Sequence, residues 1–176
     1  ETLTITDSTA VSGYYPCQTI TIRETKAPVG YQLDNTVYTL EAPADKQIEE
    51  HITLTREVKE QVIKGKIAIR KYLAQAGSEE KLPMEGIEFT VTLNSDPNIK
   101  EVITTNAKGY AETGLLPCGV YTVTETEYPE SVSPIEPFTV AISEHHKTYE
   151  FVLDNMEKSA QLKIVKADAD TGKTIP

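Results

Sequence analysis

Apolar residues alternate with Thr and other polar residues in short runs along most of the chain. Alternation with a period of two is typical of β-strands that bury one face, and no stretch keeps the 3.6-residue apolar period of an amphipathic helix. Gly, Pro, Asn or Asp bound the runs, as expected of turns between strands. The pattern predicts an all-β protein with strands near residues 2–6, 19–22, 51–55, 66–70, 88–93, 120–125, 138–142, 149–153 and 162–166.

Two parts of the chain repeat one another without a gap. The segment "SGYYPCQTITIRETKAP" (12–28) overlies "TGLLPCGVYTVTETEYP" (113–129) at an offset of 101 residues. The overlay matches Gly, Pro, Cys, Glu and Thr residues in turn. Self-similarity at a fixed spacing is the mark of a tandem array. The chain is therefore predicted to be a piece of an array with a period of about 100 residues.

A second overlay sets the boundaries of the units. It places "KIAIRKY" (66–72) on "QLKIVKA" (161–167). We therefore predict one complete unit over 61–158, the C-terminal part of a preceding unit over 1–60, and the first strand of a following unit over 159–176. A partial unit leaves sheet faces and edges uncovered. The missing strands come either from a longer chain or from another chain, and the sequence leaves both open.

Composition and charge exclude several classes of function. The net charge of −10 would repel a phosphate backbone, which excludes broad nucleic-acid binding. The apolar runs are far shorter than the roughly 20 residues that cross a bilayer, so this segment is expected to make no membrane contact. Two Cys and three scattered His predict neither a metal site nor a cofactor. No arrangement of catalytic side chains stands out that would predict an enzyme.

The two cysteines, Cys17 and Cys118, occupy the same position in successive units. Equivalent positions in a string of domains lie about one domain length apart, beyond the Cα separation of about 7 Å that a disulfide can span. We therefore predict that no bridge joins them.

Four segments carry a resemblance to a known family. "RETKAPVGYQL" (23–33) resembles the E-box of the collagen-adhesin B-type, or prealbumin-like, repeat domains of Gram-positive surface proteins and pilins. "LKIVKADADTGKTIP" (162–176) is similar to their opening strand, "LPMEGIEFTVT" (82–92) to their second strand and "FVLDN" (151–155) to their last. The resemblance covers the complete unit and both partial units. It implies tandem Greek-key β-sandwiches of immunoglobulin-like shape, one complete and two partial.

The resemblance also implies a covalent chemistry. In such domains a Lys of the first strand joins an Asn of the last strand through an isopeptide bond, and the E-box Glu catalyses the reaction. Matched residue by residue, these are Lys71, Asn155 and Glu125, while Glu24 and Lys166 are the equivalents of the Glu and the Lys in the partial units. The reaction runs once per molecule and releases ammonia, so it is self-processing and not enzymatic turnover.

The parity of the strands favours this assignment. A polar residue at a strand end is usually solvated. Each of the three candidates, however, continues an apolar face of its own strand. Lys71 follows Ile67, Glu125 follows Tyr121, and Asn155 follows Phe151 on these faces. All three are therefore predicted to point inward. Burial lowers the pKa of a Lys amine and so favours the neutral nucleophile. The Glu must be protonated to shuttle protons, and apolar surroundings favour that form.

The first unit departs from the pattern. Overlaying "HITLTREVK" (51–59) on "EFVLDNMEK" (150–158) places Arg56 on Asn155. A guanidinium is not an electrophile, so no bond of this kind is predicted in the first unit.

The leading interpretation is a structural stalk or shaft on the extracellular, cell-wall-attached surface of a Gram-positive bacterium. Its partners would be the neighbouring repeats of the same polypeptide, and a covalent link between first and last strands would carry mechanical load. The alternative is an adhesin domain that binds a host matrix or cell-surface ligand. Tyr14, Tyr15 and Tyr31, which lie near one another in sequence, would serve such a function, although Tyr residues of this kind are as often packed at turns.

Overall fold

All regular secondary structure in the described residues is β-strand, which confirms the predicted fold class. No helix among them is long and apolar enough to cross a membrane. Contacts within the chain divide it into two units, Glu1–Ile63 and Lys64–Pro176. The structure is a computed structural model and describes residues 1–16, 18–41, 51–74 and 80–174.

The first unit holds a small antiparallel sheet. Its strands are β1 (Ile20–Ile22) and β2 (Tyr38–Leu40), with Thr21 opposite Thr39. An isolated bridge between Tyr31 and Val62 ties the end of this unit to its middle.

The second unit is built from a longer series of strands. In chain order they are β3 (Lys64–Ala74), β4 (Lys81–Pro83), β5 (Glu88–Leu93), β6 (Lys100–Thr104), β7 (Tyr110–Glu112), β8 (Leu116–Pro117), β9 (Gly119–Glu127), β10 (Val132–Ser133), β11 (Phe138–Ile142) and β12 (Thr148–Glu157).

These strands form two sheets. One has the order β10-β12-β3-β4, and β7 and β8 also pair with β3, while the other has the order β11-β9-β5-β6. Every pairing is antiparallel except that of β3 with β12, where Lys66 lies opposite Thr148 and Ala74 opposite Met156. The first and last long strands of the unit are thus parallel neighbours, which places the two ends of the unit's chain on opposite ends of one strand pair.

The inward faces of the two sheets form the hydrophobic core. On β5 and β9 every second residue is buried, as the alternation predicts. Burial of each such side chain contributes about 1.5–3 kcal/mol to folding. The fully buried apolar side chains include Ile67, Ile69, Ile87, Phe89, Val91, Tyr121, Val123 and Ile142.

Alternation located the long strands of the second unit and, in the first unit, the strand predicted at 19–22, which corresponds to β1. It failed in three other places. The runs predicted at 66–70, 88–93, 120–125, 138–142 and 149–153 fall within β3, β5, β9, β11 and β12. The strands predicted at 2–6, 51–55 and 162–166 are wrong: no strand forms in those ranges. A strand needs a neighbour to take its backbone hydrogen bonds, and none of these three runs pairs with a strand in the described residues.

The segment after β12 is exposed. Leu162 and Ile164 are 84% and 76% accessible, and the regular pairing in 159–174 is limited to a bridge between Ala167 and Thr174. Contacts divide the chain between Ile63 and Lys64; the assignment of 159–176 to a following unit stays a prediction.

A glycine fixes the position of β3 where Lys71 lies. Gly109 has a φ of +70°, and its carbonyl accepts a hydrogen bond of 2.7 Å from the backbone N–H of Lys71. A Cβ added to Gly109 would lie 2.3 Å from the carbonyl oxygen of Lys71. Only glycine allows the two backbones to approach this closely.

Replacement of Gly109 by Ala is therefore expected to destabilise the second unit more than the same change at Gly86. Gly86 also has a positive φ of +77° but has no atom within 4 Å of an added Cβ. Gly86→Ala should cost about 1–2 kcal/mol for the left-handed backbone, and Gly109→Ala about 1–3 kcal/mol more for the clash. Urea denaturation of the two variants measures the difference, and equal losses would contradict the close approach.

Candidate functional site

Three polar side chains from both sheets meet in the dry interior of the second unit. Lys71 comes from β3, Asn155 from the neighbouring strand β12, and Glu125 from β9 of the facing sheet. Lys71 and Asn155 are 0% exposed, and the side chain of Glu125 is equally inaccessible. Each lies on the inward face of its strand, as the parity of the sequence predicts.

The three side chains form a closed triangle of contacts. The Lys71 Nζ donates to the Asn155 Oδ1 at 2.5 Å and lies 3.3 Å from the Glu125 Oε1. The Asn155 Nδ2 donates to the same Oε1 at 2.9 Å. One carboxylate oxygen therefore contacts both nitrogens, while the carbonyl of Asn155 faces the amine.

The second oxygen of Glu125 is held by the backbone. Its Oε2 accepts a hydrogen bond of 2.8 Å from the N–H of Ile135, in the segment between β10 and β11. Sequence reasoning missed this contact because any residue type provides a backbone N–H. The carboxyl group is thus fixed at one oxygen and leaves the other to the amine and the amide.

Burial dominates the electrostatics of Lys71. Removal from water lowers the pKa of its amine, and the negative charges of Glu125 and Asp154 oppose that shift without cancelling it. The ring of Phe89, whose centroid lies 5.8 Å from the Nζ, covers the amine on the side of β5. The environment favours the neutral amine, which is the nucleophilic form.

A second lysine provides an internal comparison. The Lys81 Nζ donates to the Asp154 Oδ2 at 2.5 Å, the same separation as in the buried pair. The side chains of Lys81 and Asp154 are 49% and 32% exposed. Both groups are open to water, and the side chain of Asp154 has no amide nitrogen that could leave. What distinguishes Lys71 is its burial and the carboxyl group that contacts both its own nitrogen and the amide nitrogen of Asn155.

The first unit keeps part of this arrangement. The Glu24 Oε2 accepts a hydrogen bond of 2.6 Å from the N–H of Asp34, as Glu125 does from Ile135 at the repeat offset. Arg56, which replaces the Asn, lies over the ring of Tyr38 at 4.7 Å. Lys166 lies in the exposed segment after β12. The structure therefore brings together the predicted residues of the second unit, but it assembles no such triad among the described residues of the first.

The remaining candidates stay outside the triad. Cys118 is a free, half-buried cysteine, and Cys17 lies outside the described residues. Tyr14 is exposed and stacks on His51 with ring centroids 4.2 Å apart, while Tyr15 is 45% exposed. No group of three or more metal-ligating side chains occurs in the ranges that the structure describes.

Comparison with known proteins bears on this geometry. A family model described as the SpaA prealbumin-like fold domain matches residues 66–157. The structure of the Bacillus anthracis TIE protein is 26% identical with a TM-score of 0.70, covering 88% of this chain and 28% of that one. The minor pilin GBS52 of Streptococcus agalactiae is 13% identical with a TM-score of 0.50, covering 90% and 68% of the two chains, and shows the fold alone. A search of curated proteins gives no significant match.

The matches cover different parts of this chain and of its relatives. The family model spans β3 to β12, so it includes all three members of the triad. The chain spans only 28% of the TIE protein, so it corresponds to a small part of that molecule.

The lowered pKa of Lys71 predicts a pH dependence in a chain that keeps the amine free. In an Asn155→Ala variant, the unfolded state binds a proton at Lys71 up to its ordinary pKa of 10.5, whereas the folded state releases it at lower pH. The free energy of unfolding should therefore rise with pH through this window, by up to about 1.4 kcal/mol per pH unit. The matched control is Lys71→Met in the same Asn155→Ala background, measured by urea denaturation at stepped pH. Parallel curves for the two variants would contradict the shift.

Proposed function

The chain belongs to the family of SpaA prealbumin-like fold domains, and from that premise we propose that it is a stalk segment of a Gram-positive surface protein that locks itself with a Lys71–Asn155 isopeptide bond. The observation that carries the proposal is the contact of one buried Glu125 oxygen with both the Lys71 Nζ and the Asn155 Nδ2. A purely structural ion pair has no need of the amide nitrogen.

The first step of the proposed reaction is attack by the amine. The Lys71 Nζ, as a free base, adds to the Asn155 Cγ, which is bonded to the carbonyl oxygen that the amine already contacts at 2.5 Å. Folding holds the two groups together, and such proximity lowers a barrier by up to several kcal/mol. The new bond makes the Cγ tetrahedral, and the electron pair of the carbonyl double bond moves to the Oδ1.

Proton transfer completes the reaction. Glu125 takes a proton from the attacking nitrogen and delivers one to the departing Asn155 Nδ2, and its Oε1 lies 3.3 Å and 2.9 Å from these two nitrogens. The C–N bond to the amide nitrogen breaks, ammonia leaves, and a new amide joins Lys71 to Asn155. The carboxyl group ends in its starting state, but the chain has reacted once, so no turnover follows.

The proposed mechanical function follows from the pairing of the strands. Force applied along the chain enters the unit at the start of β3 and leaves at the end of β12, and these parallel strands would be loaded in shear. A covalent link from Lys71 to Asn155 closes a loop across 84 sequence positions, so load would bypass that loop. By analogy with a disulfide closing a loop of this length, the link would stabilise the unit by about 4–5 kcal/mol.

The proposal also includes the cellular location of the stalk segment and its neighbours. The segment lies outside the cell, attached to the wall of a Gram-positive bacterium through parts of the protein beyond this sequence. Its neighbours are the other repeats of the same polypeptide, with 1–60 as the end of a preceding unit, 61–158 as the complete unit and 159–176 as the start of a following one.

The bond is tested by the intact mass of the purified chain. The wild-type chain should be lighter than its calculated mass by one molecule of ammonia, whereas Glu125→Ala and Asn155→Ala should have their full mass because the shuttle or the electrophile is gone. Glu24→Ala and Lys66→Ala are matched controls that should still lose one ammonia. A wild-type chain of full calculated mass would show that the crosslink does not form and that the second unit is an uncrosslinked β-sandwich.

The load-bearing function is tested by pulling single molecules from their two ends. Unfolding of the second unit in Asn155→Ala should release the loop of 84 positions, a gain of roughly 280–300 Å in length. The wild-type chain should not show this gain in length at any force that the attachments to its two ends withstand. Release of the same length by the wild-type chain would show that the bond, if formed, does not carry the load.

A further inference from the structure

A charged pair lies directly behind the triad, on the outer face of the same strands. Asp154 precedes Asn155 on β12 and lies opposite Tyr72 of β3. Its Oδ2 accepts a hydrogen bond from Lys81 of β4, whereas its Oδ1 is buried and has no hydrogen-bond partner in the described part of the chain. A buried oxygen without a donor leaves that side of the carboxylate poorly compensated, although the side chain as a whole is 32% exposed.

The charge of Asp154 acts on the proposed nucleophile. It raises the pKa of Lys71 and so opposes the effect of burial. Among the described residues, the charged groups that act on Lys71 are Glu125 from β9 and Asp154 from β12, while β5 presents the uncharged ring of Phe89. The proposed reaction requires Glu125 for proton transfer. Asp154 is therefore the negative charge that disfavours the neutral amine without contributing to the reaction.

Lys81 is placed to offset this charge. It is the first residue of β4, which pairs with β3 on the side opposite to β12, and its side chain reaches across β3 to Asp154. Ion pairs as exposed as this one add little to stability. The pair nevertheless changes the local potential, because an ammonium beside the carboxylate reduces the net charge that Lys71 experiences.

We propose that Lys81 neutralises the carboxylate of Asp154 and thereby allows the neighbouring Lys71 to react as a free amine. Lys81 contacts none of the reacting atoms. It is a positioning residue that acts on Lys71 through Asp154, by changing the electrostatic potential at the amine. The inference rests on the proposed isopeptide bond and deepens it: β4 would set the pH at which the second unit locks.

The test follows bond formation during refolding. Full-length chain that has not yet reacted is recovered unfolded from inclusion bodies, diluted into native buffer at stepped pH, and sampled by mass spectrometry for the loss of ammonia. The variants are Lys81→Gln, Asp154→Asn and the double variant. Lys66→Gln is the matched control, because Lys66 forms a comparable ion pair of 2.9 Å with Glu112 on the same outer face.

The pH profile of the rate distinguishes the proposal from a structural role. Lys81→Gln should shift the profile to higher pH by about half a unit, a roughly threefold slower reaction on its rising limb. Asp154→Asn should shift it to lower pH, and the double variant should return close to the wild type. The Lys66→Gln profile should coincide with that of the wild type.

Two results would overturn the inference. One is an unchanged profile in both single variants, and the other is a uniform slowing at all pH values that the double variant does not restore, which would mark the pair as structural. Failure of the wild-type chain to lose ammonia is a separate outcome, which would reject the isopeptide bond itself.

Discussion

Removal of the Lys71 amine from water is the constraint on which the second unit depends. An ammonium costs several kcal/mol to bury even when it is paired, and here the surrounding groups are Phe89, the amide of Asn155 and one carboxyl group. A replacement by an apolar residue would avoid that cost. Formation of the proposed amide also removes it, because a neutral amide replaces the amine and no charge remains on the nitrogen. The site is a poor structural ion pair, and it has the arrangement that the proposed reaction needs.

A comparison of the two units separates the backbone features that both share from the side chain that differs between them. Thr21 pairs with Thr39 in the first unit as Thr122 pairs with Thr139 in the second, so the sheet geometry of the E-box repeats. The clamp on the E-box Glu repeats as well, since Glu24 and Glu125 each accept a backbone N–H ten residues later. The proposed electrophile is not repeated, because the sequence overlay places Arg56 at its position. Local backbone geometry is therefore preserved where the proposed chemistry is absent.

The sequence was sufficient to predict the long strands and the inward direction of the triad, because a period of two fixes the face of each residue once the strand exists. It was insufficient for the short strands β4, β6, β7, β8 and β10, whose few residues are held by their neighbours and not by their own pattern. Alternation also predicted strands at 2–6, 51–55 and 162–166, where the described residues pair with no strand. The clamp from Ile135 and the close approach of Gly109 depend on backbone atoms in space, which no residue pattern reports.

The position of the proposed link along the strands is as informative as its chemistry. Between Lys64 and Lys71 the chain is already an extended strand, and only two residues of β12 follow Asn155. A strand near 3.3 Å per residue has almost no further length to give. A load that passes from β3 to β12 through an amide at Lys71 and Asn155 would therefore meet a path with no slack, so the sandwich would transmit force while its core stays folded. A link placed elsewhere in the unit, between loops or at the short strands, would leave coiled segments in the path, and these would extend before the bond carried load.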